Sequence, residues 1–109
     1  SDVRTSYQAL NVTAGAQYII EYDARVDTAG DYIEVFILDG HFDTPTLAIA
    51  STPLYDASTT DTSGSFVTVS DVFTANSTGE IAIMMSAFIS DTSAGASVYL
   101  DNISITPVE

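Results

Sequence analysis

The 109-residue chain has no cysteine and no lysine, and its only strongly basic side chains are Arg4 and Arg25. Without cysteine, no disulfide staples the fold and no thiolate-based zinc or iron–sulfur centre can form. Fifteen acidic residues against two arginines give a formal net charge of −13. A nucleic-acid backbone or an anionic membrane is repelled over most of such a surface. An acidic polysaccharide is repelled too unless cations bridge it, which leaves neutral ligands and cations. Two readings fit the charge: solubility or adaptation to salty water, where screening relieves self-repulsion, and calcium binding by some of the carboxylates.

No stretch reaches the ~18 apolar residues of a membrane-spanning helix, so membrane insertion is not expected. The opening residues lack the charged, apolar and small-residue regions of a signal peptide. The chain reads as a mature piece, or as one module of a larger multidomain protein. Catalytic signatures are missing as well. The single histidine is His41, and there is no Gly-x-Ser-x-Gly elbow, phosphate loop, dinucleotide fingerprint or EF-hand loop. Fifteen acids always offer carboxylate pairs, but none here carries a local signature of glycoside cleavage. The sequence therefore points to binding rather than catalysis.

What is present is alternation. The length suits one domain, and 46% of the residues are hydrophobic, many of them branched or aromatic side chains that suit a pleated surface. In residues 17–26, Tyr18, Ile20, Tyr22, Ala24 and Val26 share one face, while Glu21, Asp23 and Arg25 share the other. In residues 31–39, Ile33, Val35 and Ile37 oppose Tyr32, Glu34, Phe36 and Leu38. Residues 3–12, 66–75, 80–89 and 97–106 also read as strands, and 47–50 as a short seventh. The six glycines fall between these segments, as turn residues should. No segment has helical periodicity. The pattern predicts a single all-β domain over residues 1–109, a two-sheet antiparallel β-sandwich.

Residues 41–65 form the longest connection, rich in Thr, Ser and Asp and carrying His41, Phe42 and Tyr55. It reads either as a functional loop or as a solvated link with one edge strand. If Ile33, Val35 and Ile37 face the core, Tyr32, Glu34 and Phe36 face outward, which is not an ordinary solvated surface. Neutral sugars are held by such groups: the C–H face of a pyranose packs on a ring, and its hydroxyls pair with carboxylates, amides and arginine. Asp23 and Arg25 are expected on the neighbouring strand's outward face, Phe88 on a later strand, and Tyr55 in the long loop beside them. The competing reading has these aromatics covered by the long loop or by a segment from outside the chain.

Three stretches carry a family resemblance. Ser6-Tyr-Gln-Ala-Leu-Asn-Val-Thr-Ala-Gly-Ala-Gln-Tyr18 is similar to a strand, turn glycine and Gly-x-x-Tyr strand. Phe66-Val-Thr-Val-Ser-Asp-Val-Phe-Thr-Ala75 resembles a segment that usually begins with Trp, here replaced by Phe66. Ser97-Val-Tyr-Leu-Asp-Asn-Ile-Ser-Ile-Thr106 resembles a closing strand with a central Asp-Asn. In this order and spacing they resemble the jelly-roll carbohydrate-binding modules of families four, nine and twenty-two. The resemblance implies a jelly roll and a non-catalytic module of a secreted or cell-surface bacterial polysaccharide-processing protein. It also implies a structural calcium helped by Asp101. Family members usually begin with a further outer strand and calcium ligand that this chain does not carry, so a shortened variant or a strand supplied from elsewhere is expected. The alternative function is an extracellular adhesin or spacer of immunoglobulin-like topology, rigidified by calcium.

Overall fold

The computed structural model describes residues 2–39, 53–90 and 98–108, and only the backbone of residues 2–9 and 39. Among these residues the alternating segments become seven strands: β1 (Asp2–Val12), β2 (Gln17–Val26), β3 (Tyr32–Asp39), β4 (Tyr55–Thr59), β5 (Val67–Thr74), β6 (Gly79–Ile89) and β7 (Val98–Pro107). Six of them coincide with the expected strands to within a residue or so at each end. The other, β4, lies inside the stretch expected to be a long connection. Its sequence, Tyr-Asp-Ala-Ser-Thr, is polar on one face and only weakly apolar on the other, so its alternation does not stand out from a solvated loop. The short strand expected at 47–50, along with His41 and Phe42, lies outside the described residues.

The strands form two antiparallel sheets, one ordered β1-β6-β3-β4 and the other β5-β2-β7. Every connection except β3 to β4 passes from one sheet to the other, the wrapping that makes a jelly roll rather than a meander. The tight turn between β1 and β2 uses Gly15 at φ +80, a conformation that L side chains rarely adopt.

The expected core faces are the observed ones. Tyr18, Ile20, Tyr22, Ala24 and Val26 of β2 are buried against Ile33, Val35 and Ile37 of β3, with Phe73, Ile81 and Ile83 completing the layer. The buried phenol of Tyr18 accepts the Thr13 N–H at 2.9 Å. Asp31 is a buried acid, 2% exposed. Its Oδ1 accepts both the backbone N–H (2.9 Å) and the hydroxyl (2.6 Å) of Ser90, which pins the start of β3 to the end of β6.

A second apolar cluster lies on the other face of the four-stranded sheet. Phe36, Leu38, Ala82 and Met84 are all buried there. Phe36 was expected to stand open on that face, and it does not: it is 8% exposed. This half of the sheet is buried on both sides, which explains the near-continuous apolar runs Val-Phe-Ile-Leu in β3 and Ile-Ala-Ile-Met-Met in β6.

Candidate functional site

The residues expected to form one platform divide between the two sheets. β2 and β3 are not neighbours; they lie in opposite sheets. Tyr32, Glu34, Phe36 and Phe88 therefore share the outer face of the four-stranded sheet, while Asp23 and Arg25 belong to the outer face of the three-stranded sheet. Adjacency in the sequence does not carry over to the sheets, because the connection after β2 crosses from one sheet to the other.

On the four-stranded sheet, Tyr32 and Phe88 are directly opposite across β3 and β6. Their rings stack at 5.6 Å between centroids and 12° between planes. Tyr32 is 36% exposed and Phe88 is half-buried, so the pair presents a flat apolar surface. Two residues along β3, Glu34 is flanked by Ser86 on β6 and Ser58 on β4. Asp56, opposite Phe36, is its diagonal neighbour. A hydrogen bond to Asp56, then burial, then the Asp56 charge push the Glu34 carboxyl up to about 7. A bond between two carboxyl groups needs one proton, which favours the protonated form of Glu34.

Tyr55 does not join this face. It is the first residue of β4 and stands opposite Ile37, on the interior side of the sheet. Its hydroxyl donates to Asp71 Oδ2 of the other sheet at 2.6 Å and lies 3.2 Å from the hydroxyl of Tyr22. Burial first, and the Asp71 hydrogen bond second, push the Tyr55 phenol well above its ordinary range. It closes the sandwich edge.

The outer face of the three-stranded sheet is built around Asp23. Thr68 Oγ1 donates to Asp23 Oδ1 at 2.7 Å and Asn102 Nδ2 to Asp23 Oδ2 at 2.9 Å. These bonds, Asn102 first, hold the Asp23 carboxyl below its ordinary range. The β7 register shifts between the partners of Glu21 and Asp23, and Asn102 sits in that bulge at φ +55, which turns its amide toward Asp23. Beside this group, Arg25 binds Asp27 through two bonds of 2.7 and 3.0 Å and lies 4.8 Å above the Tyr99 ring. Phe66 meets Tyr99 at 6.4 Å and 59°. Phe66, Thr68, Tyr99 and Asn102 were not picked out as site residues. The alternation of β7 places Tyr99 and Asp101 on one face, a signal that was legible, but nothing local showed that β5 and β7 flank β2.

The donor set at Asp101 was tested against the calcium that the resemblance implies. Asp101 stands opposite Asp23, but its Oδ1 accepts the Asn102 N–H at 2.8 Å, and both Asp23 oxygens take hydrogen-bond donors. Among the described residues, no group of three or more His, Cys, Asp or Glu side chains could hold a metal ion. Asp101 and Asp23 alone, among the described residues, do not make up a calcium site.

No protein-family model matches the chain, and no curated protein matches it. A solved structure described as "CBM4 structure and function" matches 95% of this chain with a TM-score of 0.63 at 20% sequence identity. The chain spans 61% of the length of that structure. The fold is that of a jelly-roll β-sandwich resembling a family-four carbohydrate-binding module.

Proposed function

We propose that this domain is a non-catalytic module that binds a neutral glycan on the outer face of its four-stranded sheet. The observation that carries the reading is the near-parallel Tyr32–Phe88 stack lying on the same face as Glu34 and its diagonal neighbour Asp56. The stack supplies a flat surface for the C–H face of a sugar ring. The carboxyl pair, with Ser58 and Ser86 beside it, supplies donors and acceptors for hydroxyls. Phe36 shares this face but is buried in the cluster with Leu38, Ala82 and Met84, and it is not part of the proposed contact. A net charge of −13 disfavours polyanions and leaves a neutral poly- or oligosaccharide as the fitting partner. The likeness in fold to a carbohydrate-binding module supports the same class of ligand. In this reading the domain works outside the cell or at a bacterial cell surface, as part of a larger polysaccharide-processing protein.

Affinity gels containing β-glucan, xylan or mannan test the proposal. The protein should be retarded by at least one neutral polymer, and Tyr32→Ala should weaken that retention about tenfold, the loss of one stacking surface. Equal retention of the variant would remove this face as the site.

A further inference from the structure

The three-stranded sheet carries, on its outer face, a cluster that the proposed site does not use. Phe66 is 49% exposed and Tyr99 36%, a high value for aromatic rings on a folded surface. They come from opposite sides of β2 and meet each other, and Tyr99 lies against Arg25. The polar groups beside them are already fixed. Arg25 is clamped by Asp27, and Asp23 is held between Thr68 and Asn102. Groups ordered in advance lose little conformational freedom when a ligand arrives.

Charge narrows the choice of occupant. The guanidinium of Arg25 is already matched by Asp27. Arg4, the other arginine, belongs to β1 in the opposite sheet. An anionic partner therefore finds no open cation here. An apolar protein surface would have to desolvate Glu21, Asp23 and Asp101, which share this face by register, at a substantial cost per carboxylate. A polyhydroxylated neutral ligand meets neither obstacle: it packs C–H groups on the rings and donates hydroxyls to the carboxylates.

We infer that this face is a second glycan-contact surface, formed by Phe66, Tyr99, Arg25, Asp23 and Asp101. The inference rests on the glycan-binding reading above and extends it to the opposite side of the sandwich. The two surfaces are separated by the packed core, with sheets about 10 Å apart, and face in opposite directions. One domain can then hold two separate polysaccharide chains.

An NMR titration of the 109-residue protein with cellohexaose, xylohexaose and mannohexaose reads the two faces separately. At least one hexasaccharide should shift the amides around Tyr32 and Phe88 and, independently, those around Asp23, Phe66 and Tyr99. Tyr99→Ala should weaken the second set about tenfold and leave the first unchanged. Phe66→Ala, which alters a residue outside the regular strands, should do the same and serves if Tyr99→Ala does not fold. Shifts confined to the Tyr32–Phe88 face would overturn the second surface and leave the proposed function standing. Shifts confined to the Phe66–Tyr99 face would support this surface and overturn the location proposed above. No response from either face at millimolar hexasaccharide would overturn both.

Discussion

Tyr55 donates a 2.6 Å hydrogen bond to Asp71, joining the edge strand of one sheet to the edge strand of the other. Both side chains occupy interior-facing register positions, Tyr55 opposite Ile37 and Asp71 opposite Ile20. The Tyr22 hydroxyl continues the chain at 3.2 Å. The sandwich thus carries a polar link on this side in addition to the packing of Leu54, Tyr55 and Val69 against the core. An inward-pointing carboxylate on an edge strand also opposes the addition of a foreign strand.

Tyr55→Phe removes this link and keeps the ring. The variant should lose about 1–2 kcal/mol of stability, seen as a lower urea midpoint with an unchanged slope. Glycan retention should be unaffected, because Tyr55 belongs to the interior edge. A midpoint equal to that of the wild type would mean that the link contributes nothing to stability.

Asn102 offers a test of the β7 bulge. Its amide is the main cause of the lowered Asp23 pKa, and its φ of +55 is costly for most other residues. Asn102→Gly keeps the backbone and removes the amide; Asn102→Ala removes the amide and strains the backbone. Asp23 should titrate closer to its ordinary value in both, by NMR, whereas only the alanine variant should lose about 1 kcal/mol of additional stability. For Asp23 itself the sign is that of a depressed carboxylate. Its contribution is present above the unfolded value of 3.8 and disappears as pH falls through the lower folded value. Identical Asp23 titration in wild type and Asn102→Gly would discard the assigned cause.

Glu34 has the opposite sign. Its carboxyl is pushed from 4.5 up to about 7 in the folded protein. Between these values the folded state keeps a proton that the unfolded chain has released. The contribution is therefore complete below pH 4.5 and is lost as pH rises toward 7. Because Glu34 is only partly buried, screening limits the effect to about 1 kcal/mol. Melting temperature should fall over this window in the wild type, and Glu34→Gln should flatten the fall. The same slope in both proteins would show that other groups govern it.

Much of the fold was legible in the sequence because β2 alternates strongly enough to declare its buried face and because Ile33, Val35 and Ile37 share one face of β3. Tyr22 and Ile20 were placed correctly by period alone. The pairing of strands was not legible. Side-chain alternation reports which face a residue occupies, but the partner of a strand depends on connections that span the whole chain, so Asp23 and Arg25 were grouped with Tyr32 although a core lies between them. β4 escaped notice because an edge strand with one half-covered face needs few apolar residues. Phe36 was read as exposed because alternation assumes that one face of the sheet is solvated, and here both faces are covered. Tyr99 and Phe66 were overlooked for a related reason: only the register of β5 and β7 on β2 brings them to Arg25.

The most direct test of the glycan-binding account is the retention of wild type and Tyr32→Ala on neutral β-glucan, xylan and mannan gels, with circular dichroism to confirm that both are folded. The account predicts retardation of the wild type by at least one polymer and about tenfold weaker retention of the variant. A folded wild type that passes unretarded through all three would contradict it.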